Sequence, residues 1–240
     1  MAKLNSDWVV QPHGDLQRVA EGIWTVEGSI KMPLGRFPRR MTVIKLANGD
    51  LAVWSAIALA EPQMEALDAL GPVRFLIVPN AGHRLDVRAW LTRYPDAAVI
   101  APPGAREAVT EAVPVKAIND SPLGDPGVSL ALVQGMKADE FAMTVSRADG
   151  TTLVLNDVLA SVCHPKGLGA QIMARLFGFG VQRPQVSRLV RKRYVSDAQA
   201  VARQLRAWAE LPDLKRVIVS HVDVLDREPR GRLLRAADDF

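Results

Sequence analysis

The chain has 240 residues, 48% of them hydrophobic and 23% charged, which excludes a disordered chain and suits one large domain or two small ones. A formal charge of +4 is too small to argue for nucleic acid, although it suits an anionic small molecule. The single cysteine, Cys163, excludes an internal disulfide, and neither a signal peptide nor an apolar run of roughly eighteen residues is evident, so a cytoplasmic protein without a transmembrane segment is expected.

Short apolar segments predict strands at Gly22–Val26, Met41–Leu46 and Leu51–Ser55, with a turn at Asn48-Gly49-Asp50 and a loop from Pro33 to Arg40. A helix opens at Glu61-Pro62, where a proline loses no needed N–H, carries Met64, Leu67 and Leu70 on one face, and stops at Gly71-Pro72. Val73–Val78 reads as a buried strand, Leu85–Tyr94 as a helix and Ala98–Ala101 as a strand ended by Pro102-Pro103-Gly104. After a turn-rich stretch from Asn119 to Gly127, strands are expected at Val128–Val133, Phe141–Val145 and Thr151–Leu155, the last two joined through Asp149-Gly150. Helices follow at Leu168–Phe177, Pro184–Arg193 and Asp197–Glu210, then a strand at Val217–Val219.

Three of these strands end in polar residues able to hold a metal. Phe75–Val78 runs into Asn80 and His83, Leu153–Leu155 into Asn156 and Asp157, and Val217–Val219 into Ser220 and His221. The carboxyl ends of strands are where α/β sheets gather ligands, and imidazole and carboxylate suit zinc, iron or manganese.

From Gly22 to Asp223 the chain resembles the metallo-β-lactamase superfamily. The segment Ile23-Trp24-Thr25-Val26-Glu27-Gly28, followed by Met41–Leu46 and Gly49–Ser55, is similar to its opening strand meander. In place of the family's HxHxDH the chain reads Pro79-Asn80-Ala81-Gly82-His83-Arg84-Leu85-Asp86. Asn80 stands at the first His position, and Gly82 or, with a shift of one, His83 at the second; Arg84 and Leu85 stand where the family has Asp and His. The Pro-Asn-x-x-His pattern looks like that of a degenerate branch of unassigned activity. Met136, after Gly135, replaces a further His, whereas Asp157 and His221 match two ligand positions. Ser55 falls near an early Asp position of the family.

The resemblance implies an α/β fold, the αββα four-layer sandwich of metallo-β-lactamase type, as one domain over residues 1–240. It implies a single-metal site of His83, Asp157 and His221, with His164 as a fourth donor. Asn80 would steady substrate oxygen, and Asp86 would orient His83 or act as a base. The cofactor is then one divalent ion (zinc, iron or manganese) or none. The activity the resemblance implies is hydrolysis of a small ester, thioester, lactone or phosphoester; the alternative is a non-catalytic binding protein that uses the same fold. A Cys163–His164 nucleophile pair and a phosphate loop at Gly167-Leu168-Gly169 are weaker readings of the same stretch. Leu168–Phe179, followed by Arg183, Arg188, Arg191, Lys192 and Arg193, reads as a lid with anion-holding arginines, an interfacial element, or a core helix followed by a solvated basic one. Oligomeric state has no signature in the sequence.

Overall fold

The computed structural model describes residues 4–32, 35–116, 123–159, 188–221 and 224–240. The chain divides into two compact units, one of residues 1–28 and 40–129, the other of residues 29–39 and 130–240. The expected helix Leu168–Phe177 and residues Cys163, His164, Gly167, Leu168, Gly169, Phe179 and Arg183 lie outside the described residues.

A six-stranded sheet takes its strands in sequence order: β1 (Gln17–Ala20), β2 (Ile23–Met32), β3 (Gly35–Lys45), β4 (Leu51–Trp54), β5 (Val73–Ile77) and β6 (Ala98–Ile100). β3 and β4 are antiparallel, while β4, β5 and β6 are parallel neighbours linked through α1 (Glu61–Asp68) and α2 (Val87–Arg93). All four residues of β4 are buried, the pattern of a strand covered on both faces. Met64 and Leu67 of α1 and Val87 and Trp90 of α2 join Val53, Leu76 and Val99 in the first unit's core. Each fully buried aliphatic side chain of this kind contributes about 1.5–3 kcal/mol.

One expectation is corrected in this part of the chain. The stretch Pro33–Arg40 is not a loop: Gly35–Arg40 opens β3. Pro38 is tolerated there because the pairing of β3 with β4 begins only at Thr42, so its missing N–H removes no bond of that ladder. Past Pro102 the chain forms a short 3-10 turn (Pro103–Ala105) and α3 (Arg106–Thr110), elements the sequence reading did not include.

A four-stranded sheet has the order β10-β9-β8-β7, with β7 (Val128–Leu132), β8 (Phe141–Arg147), β9 (Gly150–Leu155) and β10 (Leu214–Val219). β8 and β9 form the expected antiparallel pair, with Arg147 opposite Gly150. β9 and β10 are parallel, with Leu155 opposite Val219. Between them come α4 (Arg188–Tyr194) and α5 (Ala198–Ala209). Asp197 caps α5 by accepting the Ala200 N–H at 3.0 Å, and Val201, Ala202, Leu205, Trp208 and Ala209 form its buried stripe. α6 (Pro229–Ala237), absent from the sequence reading, packs on α5 and β10 and buries Leu233, Ala236 and Ala237. Gly135 accepts the N–H groups of Ser196 and Asp197 just before α5. Its φ is +78°, and a Cβ there would stand 2.3 Å from the Asp197 carbonyl oxygen, so both conformation and space require glycine. Among the described residues no helix is long and apolar enough to cross a membrane.

Candidate metal centre

In the first unit, β4 and β5 end side by side, and their continuations carry the polar groups. Ser55 follows β4 and donates its N–H to the Ile77 carbonyl of β5 at 3.0 Å. Its φ of +55° is a left-handed conformation that a residue with a Cβ adopts at a cost of about 1–2 kcal/mol. That geometry accompanies a hydrogen bond of 2.7 Å between Ser55 Oγ and His83 Nδ1. His83 is half-buried and donates its own N–H to the Asn80 carbonyl at 3.1 Å. Asn80, buried, accepts the Gly82 N–H on Oδ1 at 2.8 Å. The turn after β5 thus fixes Asn80 and His83 together.

Arg84 and Asp86, just past His83, bond to groups elsewhere in the first unit. The Arg84 guanidinium bonds the Ala108 carbonyl and the Glu111 carboxylate, the latter at 2.7 Å. Asp86 is 1% exposed; Oδ1 accepts Asn5 Nδ2–H at 2.7 Å and Oδ2 the Ala58 N–H at 3.4 Å.

In the second unit, Asp157 and His221 stand just beyond the carboxyl ends of the parallel strands β9 and β10, where Ser220 N–H meets the Leu155 carbonyl at 3.2 Å. His221 Nε2 lies 2.9 Å from Asp157 Oδ1, and Nδ1–H donates to the Pro38 carbonyl at 2.8 Å. Phe37 meets the imidazole edge-on at 4.9 Å. Burial by itself pushes the His221 pKa down. The Asp157 carboxylate, the Pro38 carbonyl and the more distant Glu140 carboxylate outweigh it, and the net direction is upward. Glu140, 1% exposed, accepts the Val158 N–H at 2.9 Å and so holds the turn that carries Asp157. The amide of Asn156 is fully buried, and neither of its polar atoms finds a hydrogen-bond partner among the described residues. Met136 packs against the second unit's apolar core and pairs with Val195.

The structure therefore brings Asp157 to His221, and Asn80 to His83, while Asp86 is clasped by Asn5. Ser55, Pro38, Glu140 and Asn5 were missed as partners of the site residues, because each acts through a contact remote in sequence. Asp157 and His221 in the second unit, and His83 in the first, each carry a donor of the kind that holds a metal ion. Imidazole and carboxylate are donors suited to zinc, iron or manganese. Both histidines have Nδ1 tied to an oxygen, as ligating histidines commonly do.

A family model described as a domain of unknown function (DUF4336) matches residues 20–108. No curated protein sequence matches the chain. Among solved structures it is similar to the metallo-β-lactamase FIM-1 from Pseudomonas aeruginosa in its mono-zinc form (TM-score 0.64, 13% identity, 96% of each chain). It is likewise similar to a metallo-β-lactamase from Erythrobacter litoralis with β-mercaptoethanol in the active site (TM-score 0.64, 16% identity, 94% of this chain and 96% of that one). One from Hirschia baltica gives a TM-score of 0.63 at 16% identity over 95% and 98% of the two chains. At these identities the likeness is one of fold: the chain has a metallo-β-lactamase-like fold, mixed α/β with two sheets and helices, as its sequence led us to expect.

Proposed function

We propose that the chain is a metal-dependent hydrolase of a small ester, thioester, lactone or phosphoester, with His83, Asp157 and His221 holding one divalent ion. The observation that carries this reading is the His221–Asp157 pair at the ends of two parallel strands, with the imidazole's Nδ1 fixed on the Pro38 carbonyl. That bond sets the tautomer and aims Nε2 at the carboxylate, where a metal would replace the shared proton. The Ser55 bond does the same for His83, so Nε2 is the atom His83 would offer. His164 would supply a fourth donor. In this reading the two units are halves of a single domain.

A divalent ion so held supplies a Lewis acid and a water acidified toward neutrality. The chain's own groups bind and orient. The Asn80 amide, held in the turn by the Gly82 N–H, would steady a carbonyl or phosphoryl oxygen of a small, anionic substrate. A second reading, a non-catalytic binding protein, is favoured by Arg84 and Met136, which stand where the family has ligands and are committed to Glu111 and to core packing.

The test is elemental mass spectrometry on untagged protein beside His83→Ala and Asp157→Ala. Near-stoichiometric zinc, iron or manganese, lost in both variants, is expected and would justify an ester, lactone and phosphoester screen. An absence of metal after incubation with each ion would refute the metallohydrolase.

A further inference from the structure

Asp86 occupies the position before α2 at which an aspartate ordinarily caps the helix, yet its side chain makes no cap bond. Its carboxylate instead accepts from Asn5 and from the Ala58 N–H. Asn5 grips the same turn twice, since its backbone N–H also donates to the Leu85 carbonyl at 2.8 Å. The segment that follows is held down over a long stretch. Ser6 Oγ accepts from Arg88 at 3.4 Å, and Trp8 Nε1–H donates to the Leu59 carbonyl at 2.8 Å. The Trp8 ring lies 5.6 Å from that of Trp90, and Arg93 sits over it at 5.4 Å. Further on, His13 Nε2 accepts the Ala60 N–H at 2.8 Å. All these contacts fall within the first unit, and they converge on two segments close to the residues of this turn: 58–60, which follows Ser55, and 85–93, which follows His83.

We infer that residues 5–13 are a strap, and that the Asn5–Asp86 clasp within it positions the turn bearing Asn80 and His83. Asn5 and Asp86 are thus positioning residues, and Asp86 is not a base. The inference rests on the proposed metal reading only for its consequence: a turn held in one geometry binds an ion more tightly than one that must be ordered first. By reciprocity the ion tightens the strap.

The test compares Asn5→Ala, Asn5→Asp, Asp86→Asn and the double exchange Asn5→Asp/Asp86→Asn in the full chain. The exchange keeps the bonds between positions 5 and 86 and from Ala58 to position 86, with the clasp's donor and acceptor reversed. The amide introduced at position 86 would donate to the carboxylate introduced at position 5, and its oxygen would still accept from Ala58. Amide hydrogen exchange is read at Gly82 and His83 in the chelator-treated protein, and zinc affinity by competition with a chromophoric chelator. Asn5→Ala should speed exchange at Gly82 and His83 without moving the amides of β9 and β10, and should weaken zinc binding by about tenfold. Asn5→Asp, which sets two carboxylates together, should do more, and the double exchange should recover most of the loss. Unchanged exchange at Gly82 and His83 in Asn5→Ala, or failure of the double exchange to rescue, overturns the clasp. A wild-type protein that binds no zinc, iron or manganese, yet shows the exchange pattern and its rescue, keeps the clasp and refutes the metal reading instead.

Discussion

Ser55 allows backbone strain and site geometry to be separated by two substitutions. Its left-handed φ costs about 1–2 kcal/mol for any residue with a Cβ, and glycine escapes that cost while adding about 0.5–1 kcal/mol of unfolded-chain entropy. Ser55→Gly should therefore be more stable than Ser55→Ala by about 1 kcal/mol, the difference isolating the backbone because both variants lose the same hydroxyl. Both also lose the 2.7 Å bond to His83 Nδ1, so both should bind zinc about tenfold more weakly than the wild type, and equally so. Urea unfolding of the metal-free protein gives the first quantity and chelator competition the second. Alanine and glycine variants of equal stability would refute the strain. Wild-type zinc affinity in either would show that Ser55 does not set the His83 ring.

Other perturbations test the second unit. In metal-free protein the His221 pKa is raised above 6.5 despite burial, so the stabilisation from Asp157 is fully present below that value and fades as pH rises through the folded one. Asp157→Asn should cost about 1 kcal/mol near pH 6, a figure reduced because the carboxylate is 34% exposed, and progressively less toward pH 9. Unfolding curves showing an equal penalty at both pH values would refute the assignment. Gly135→Ala would force a Cβ against the Asp197 carbonyl at a positive φ, and should destabilise by about 2 kcal/mol or more in the same assay. A wild-type unfolding midpoint in that variant would mean that the approach of Gly135 to the start of α5 is not a tight one.

The place of Asp157 and His221 at strand ends was legible because each follows a short uninterrupted apolar run bounded by polar residues, the pattern of a buried strand. The place of Asn80 and His83 just after β5 was legible for the same reason. The fold class followed from strands that alternate with helices and from the family resemblance. What sequence could not show were partners brought in from afar: Asn5 is 81 positions from Asp86, and Pro38 is 183 from His221. Pro38 misled directly, since proline argues against a strand unless the ladder on that side is missing, and the ladder is a tertiary property. The short helices α3 and α6 were missed because neither carries a long apolar stripe. α6 offers only Pro229 at its start and a small hydrophobic face.

The membership of residues 29–39 in the second unit has a consequence for how the molecule can be taken apart. A fragment cut to begin at residue 130 would hold both Asp157 and His221 and the whole β8–β10 part of the four-stranded sheet, and would look self-sufficient on a linear map. It would nevertheless lack the carbonyl that fixes His221 and the ring that flanks it, since both belong to Phe37 and Pro38. During synthesis those two residues are made long before the imidazole they receive, and closing so long a loop carries an entropic cost. The Asp157–His221 pair in its observed setting is therefore among the last features the chain can complete, and it is a poor target for transplantation as a module.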